Sequence, residues 1–310
     1  MARSGEIRVS FAAAALAALL AGPGCVDIIG ADFAKYVERE EKHFTTTGKP
    51  DVTVATFDGS IEIRPWDKPE VQVVIERRAA TKEAADTIEI QSEQTDNRIV
   101  VEVKVPKTSG FGLHLHYNRS AKLIVSMPAT ADVKARSGDG SIDVEGIAGR
   151  VALSSGDGSI RGRRLGGDVD VHTGDGSIRL DGVEGALSAT TGDGSIVAEG
   201  KFTSVRARSG DGSVNITAGA GSASATDWNI TTGDGSVTLA LPDDFGAEVD
   251  AHTGDGRIHL QNLELSNVTG QLNRDSLRGR VGAGGGTVRL RTGDGSITLK
   301  RSSTAVNSEL

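Results

Sequence analysis

Hydrophobic and polar positions alternate along most of the chain with a period of two. Val52 and Val54, Ile61 and Ile63, then Val71, Val73 and Ile75 each sit between polar neighbours. The alternation continues through Ile88 and Ile90, Ile99 to Val105, and Leu123 and Val125. Strict alternation of β-branched residues predicts half-buried strands. From Ala131 a longer order is laid over it. Val133, Val151, Val169, Leu187 and Val205 recur every 18 residues, as do Ala135, Leu153, Val171, Ala189 and Ala207. A third slot holds Ile142, Ile160, Ile178, Ile196 and Val214, offset by nine from the first. Each repeat is therefore two half-turns, each a short strand and a turn.

One turn is Gly-Asp-Gly in every copy. Its aspartates are Asp139, Asp157, Asp175, Asp193 and Asp211, then Asp234, Asp255 and Asp294 at looser steps, and Asp58-Gly59-Ser60-Ile61 is an incomplete first copy. A fixed period of this size signals a repeat architecture. The pattern predicts an all-β chain, a parallel β-solenoid (β-helix or β-roll) of ~18-residue coils stacked at ~4.8 Å. An antiparallel β meander is the alternative, since Asp-Gly is also a hairpin turn. The solenoid is preferred because every slot keeps its residue type in register. The step loosens around Gly219 to Asp227, and Gln261 to Gly286 reads as an insertion or mobile loop carrying Arg274, Arg278 and Arg280. Lys107 to Arg119 reads as another loop, and Thr287 to Lys300 as the last coil.

The first 24 residues read as an export signal: Arg3 and Arg8, then an apolar run from Val9 to Leu20, too short to span a bilayer. Cys25 follows and is the only cysteine, which excludes an intramolecular disulfide. A lone cysteine here resembles the lipid-attachment site of bacterial lipoproteins, although Gly22 stands where leucine is usual. That resemblance implies lipid attachment at Cys25 and placement at the outer membrane or cell surface. Residues 25–50 read as anchor and tether, with a short helix from Ala31 to His43. Residues 51–300 form the repeat domain, and 301–310 a disordered tail.

Aromatic residues make up only 4% of the chain, so small and β-branched residues must do the packing. A net charge of −8 argues against nucleic acid as a partner. The Asp column invites two readings. In the first it is turn chemistry, with glycines accepting positive φ and Asp capping backbone N–H groups. In the second it holds calcium, which needs six to eight oxygens. The acidic turn recurs on one edge only, so turn chemistry is preferred and no metal or other cofactor is expected. His43, His114, His116, His172, His252 and His259 read as exposed strand residues, and Trp66 and Trp228 as rim or cap residues rather than sugar platforms. No nucleophile, zinc or phosphate-loop motif occurs, so the chain is not expected to be an enzyme.

Thr56 to Ile63 followed by Pro65-Trp66-Asp67 resembles the opening of a bacterial family named "putative adhesin". The repeated Thr/Ser-Gly-Asp-Gly-Ser-Ile coils resemble its body, and Gly285 to Ile297 its closing coils. The resemblance covers about residues 51–300 and implies a glycine-rich β-solenoid of the envelope or cell exterior with no defined activity. The expected role is an adhesin-like binding module or scaffold. A self-assembling envelope protein and a polysaccharide-active enzyme are the alternatives. The expected partners are the membrane through Cys25, a surface glycan or protein ligand, and further copies of the chain joined end to end.

Overall fold

The computed structural model describes residues 26–28, 36–106, 119–223, 226–270 and 275–302. The chain opens with β1 (Val26–Ile28), β2 (Tyr36–Thr45), β3 (Asp51–Thr56), β4 (Ile61–Trp66) and β5 (Glu70–Ala79). A short helix, α1 (Lys82–Asp86), starts where Thr81 Oγ1 accepts from Ala84 N. Then come β6 (Glu89–Thr95), β7 (Arg98–Lys104) and β8 (Ser120–Pro128). The regular block holds β9 (Asp132–Ser137), β10 (Ile142–Glu145), β11 (Val151–Ser155), β12 (Ile160–Thr173), β13 (Ile178–Thr190), β14 (Ile196–Arg208) and β15 (Val214–Ala218). After it come β16 (Trp228–Thr231), β17 (Val237–Leu241), β18 (Ala247–Thr253), β19 (Ile258–Gln261), β20 (Ser266–Gly270), β21 (Ser276–Val281), β22 (Thr287–Thr292) and β23 (Ile297–Arg301).

The predicted register is present. Ile142 pairs with Ile160, Ile160 with Ile178, Ile178 with Ile196 and Ile196 with Val214, all in parallel strands. Val133, Val151, Val169, Leu187 and Val205 form a second parallel row. Asp-Gly is therefore not a hairpin turn in this block, which removes the meander. Two ladders result. Ladder one contains β9, β11, the second halves of β12, β13 and β14, and then β16. Ladder two contains β10, the first halves of β12, β13 and β14, then β15 and β17. Their inward residues form one hydrophobic cluster, in which every member of the Ile142 row is 0% exposed. Outward residues alternate with them, as a pleated strand requires.

The ends do not follow sequence order. In ladder one β3 lies between β7 and β9, and in ladder two β4 lies between β8 and β10. The first coil is thus covered by a later one. The other end mirrors this: β22 lies between β16 and β18, and β23 between β17 and β19. The last coil, Thr287 to Lys300, is penultimate in space. Antiparallel strands then cover the outer coils. β5 covers β8 and β2 covers β5, while β6 covers β7. β21 covers β18, and β20 covers β21. The sheet is therefore mixed, parallel within and antiparallel at its ends.

Three sequence expectations change. Residues 36–45 are a strand, not part of a helix. Ten residues of β2 pair with β5, from Tyr36 with Ala79 to Thr45 with Glu70. An edge strand with unpaired backbone groups rewards such pairing, which overrides local helix preference. Arg77 meets Glu38 at 2.9 Å across that pair. The expected tether is thus partly folded, and β1 pairs with β2 directly after Cys25. The segment Gln261 to Gly286 is a capping hairpin in its described part rather than a mobile loop. Residues 107–118, 271–274 and 303–310 lie outside the described residues, as do the export signal and Cys25.

Candidate functional site

The Asp column forms one edge of the molecule. All eight aspartates are exposed. Among the described residues their carboxylates accept no hydrogen bond and form no ion pair. The expected capping by Asp is therefore corrected. The cap is the residue two positions earlier, always Ser or Thr and always buried: Ser137, Ser155, Thr173, Thr191, Ser209, Thr232, Thr253 and Thr292. Ser155 Oγ accepts from Gly158 N at 3.1 Å and donates to Gly140 O of the preceding coil at 2.9 Å. Thr191 donates to Gly176 O at 2.8 Å, and Thr292 to Gly235 O at 2.7 Å. The hydroxyls form a spine that ties each turn to the one below.

The glycines are explained by approach, not by left-handed backbone. None of the Gly-Asp-Gly glycines from Gly138 to Gly212 has positive φ. A Cβ on Gly176 would lie 2.2 Å from Gly158 O, and one on Gly194 2.1 Å from Gly176 O. Turns stacked this closely leave no room for a side chain. Thr191→Val should therefore leave buried carbonyls without a donor and cost about 1–3 kcal/mol. Asp193→Asn should stay within about 0.5 kcal/mol of the parent. Thermal or urea unfolding of the two variants checks this, and the reverse ranking would restore Asp as the cap.

The other candidates do not converge. His172 and His252 point outward from β12 and β18, five strands apart in ladder one, or about 24 Å at the usual spacing. His43 lies 3.8 Å from Glu41 and 3.7 Å from Glu70. His114 and His116 lie outside the described residues. Among the described residues no three His, Cys, Asp or Glu side chains are grouped as a metal site requires. Trp66 is half-buried, its indole N–H donating to Glu70 O at 2.8 Å, with the Lys68 ammonium 4.6 Å from its ring. Trp228 is fully buried, a core residue and not a rim residue. Arg280 and Arg278 are held on β21 by Glu248 at 2.6 Å and Asp250 at 3.4 Å. They belong to the cap rather than to a solvated loop, and Arg274 lies outside the described residues.

Sequence reasoning missed the outward side of ladder one. Its outward residues are small over β11 and β13, where Ala152, Ala186 and Ser188 stand, with Ser204 beside them on β14. Small residues between longer ones leave a hollow of about 600 Å³, bounded by Arg150, Asp168, Asp170, Arg206 and Asp227. A second hollow of about 350 Å³ lies over β3, β7, β9 and β11, lined by Asp51, Thr53, Arg98 and Lys134. A third, of about 310 Å³, lies between Lys49, Asp132 and Asp168. Arg150 borders all three, so they form one trough. It crosses eight strands from Arg98 to Asp227, about 34 Å at ~4.8 Å per spacing.

Some surface charges are tightly paired: Glu145 is held by Arg64 at 2.6 Å, Arg163 at 2.9 Å and Arg164 at 2.5 Å. The Arg164 and Arg163 hydrogen bonds hold the Glu145 carboxyl below the usual carboxylate range. In the trough Asp132 is similarly held down, by hydrogen bonds from Lys49 and the Arg150 backbone N–H. By contrast Arg98, Lys134, Arg150 and Arg206 are exposed and form no ion pair among the described residues, nor do Asp51, Asp168 and Asp170. Such a surface can hold an extended polar molecule at several points.

No curated protein matches the chain. Several solved structures resemble it at low identity. A protein titled "putative adhesin" from Bacteroides fragilis is 10% identical, with a TM-score of 0.36, covering 84% of this chain and 96% of its own. Another of that title, from Parabacteroides merdae, is 11% identical with a TM-score of 0.37, over 84% and 95%. A "putative lipid binding protein" from Parabacteroides distasonis is 12% identical with a TM-score of 0.38, over 84% and 96%. A family model matches residues 51–300, the span that the sequence resemblance marked. The chain belongs to the Toastrack DUF4097 family.

Proposed function

We propose that this protein is an exported, non-catalytic binding module, adhesin-like in action, displayed at the outer membrane or cell surface through lipidated Cys25. The parallel coils serve as a rigid solenoid scaffold, and the ladder-one trough is the contact surface. The observation that carries this reading is the trough, an elongated hollow where charged side chains stand unpaired. The repeated edge supports a scaffold role for the rest, because identical turns built on buried hydroxyls are means of stacking. The antiparallel strands at both ends weigh against stacking of copies through open terminal coils, since β2, β6 and β20 occupy those edges.

The reading is tested with the chain produced in a bacterium with an outer membrane. Mass spectrometry of the mature N-terminus should find a diacylated Cys25, absent in Cys25→Ser. Cells or beads displaying the protein should be retained on bacterial or host surfaces, and Arg150→Ala with Arg206→Ala should lower that retention. Equal retention of the parent and the double variant would remove the trough as the contact surface.

A further inference from the structure

We propose that the trough takes an extended anionic polysaccharide, laid along the axis with about one sugar per coil. This rests on the binding reading above and names its ligand. The first argument is charge. The trough is lined by Arg98, Lys134, Arg150 and Arg206, exposed cations without an ion pair among the described residues, and Arg136 and Arg208 continue the row on the same strands toward the Gly-Asp-Gly edge. The unpaired anions that line it are Asp51, Asp168 and Asp170. Unpaired cations thus outnumber unpaired anions on and beside the trough, on a chain whose net charge is −8. Eight unpaired aspartates stand instead on the Gly-Asp-Gly edge. Such separation attracts an anionic polymer to one side and repels it from the other.

The second argument separates a glycan from other polyanions. Asp51, Asp168 and Asp170 need hydrogen-bond donors, and sugar hydroxyls supply them where phosphodiester oxygens cannot. No aromatic residue lines the trough, so nucleobases would find no stacking platform. Ser188, Ser204 and Thr53 add neutral hydroxyls that match sugar O–H groups. The third argument is geometry. The coils repeat at the ~4.8 Å strand spacing, close to the advance of one unit in an extended glycan, so successive sugars can follow successive coils, with carboxylates at the Arg and Lys positions and hydroxyls at Asp51, Asp168 and Asp170.

The test uses the mature chain and labelled oligogalacturonates of two to twelve units, with fluorescence anisotropy as readout. Affinity should rise with length to about seven units, the ~34 Å of the trough, then level off. Added salt should weaken it. Arg98→Ser with Arg206→Ser should weaken binding about tenfold or more, with an unchanged melting temperature, because neither side chain touches a partner among the described residues. Cello-oligosaccharides of equal length should bind at least tenfold more weakly. Equal binding of the neutral sugar, unchanged binding by the double variant, or tighter binding of polyphosphate or a single-stranded oligonucleotide would each overturn the proposal. Retention on cell surfaces separates the two levels. Arg-dependent retention without oligogalacturonate binding sinks the ligand class alone, and loss of all retention sinks the binding reading with it.

Discussion

Trp228→Ala is expected to destabilise the protein by about 3–5 kcal/mol, the usual cost of emptying a buried aromatic site. It should be among the most damaging single changes in the chain. The repeat fills its inward slots with Val, Ile, Leu and Ala. At Trp228 a far larger ring occupies the slot that Val205 holds in the regular block. The ring is 0% exposed and meets Phe202 at 6.2 Å and Phe245 at 5.0 Å, both edge-on. Phe202 and Phe245 are themselves buried, so three aromatics concentrate where the 18-residue step lengthens. The longer step makes room that small residues cannot fill. The indole Nε1 has no hydrogen-bond partner among the described residues. Trp228→Phe removes that unsatisfied donor along with some volume, so its cost should be much smaller, about 1–2 kcal/mol. Urea unfolding of both variants checks the pair. Similar costs for the two would mean that the slot is not set by packing.

The core and its register were legible because both follow from period. Val133 and Ile142 each recur at 18, and like stacks on like wherever the step is constant. What period cannot encode is the order of coils that resemble one another. Val249 and Ala251 on β18 and Val288 and Leu290 on β22 are equally good neighbours for β16. Nothing local says which docks there. β2 was hidden for a related reason: Glu38 to Lys42 reads as a charged helix until β5 offers ten residues of unpaired edge. At the turns the invariant Ser or Thr was visible, but its role was assigned to the neighbouring Asp, because a turn viewed alone lacks the carbonyls of the next coil. The trough escaped notice because it is defined by shortness. Ala152, Ala186 and Ser188 carry no chemistry of their own, and only the stacking of coils makes them the floor of a channel.

Leu290→Ala should cost about 2–5 kcal/mol and expose more than its own coil. In a solenoid stacked in sequence order, the last coil would have one neighbour, fray first and tolerate truncation of its core. Here β22 has β16 on one side and β18 on the other, and β23 lies between β17 and β19. Leu290 and Leu299 are both 0% exposed. Arg291 adds a tie, its guanidinium reaching the Asp250 carboxylate at 2.9 Å and the Asp250 carbonyl at 2.7 Å. β19 has no strand partner other than β23 among the described residues. Weakening the sequence-last coil should therefore release the coil outside it. Native-state hydrogen exchange reads this directly, because opening energies differ between local units. In the parent, amides of residues 297–301 should exchange more slowly than those of 258–261. In Leu290→Ala, protection should fall across β18 and β19 as well as β22 and β23, while β10 to β14 keep theirs. Faster exchange in 297–301 than in 258–261 of the parent would mean that the last coil is an outer coil after all, and that the clasp at this end is absent.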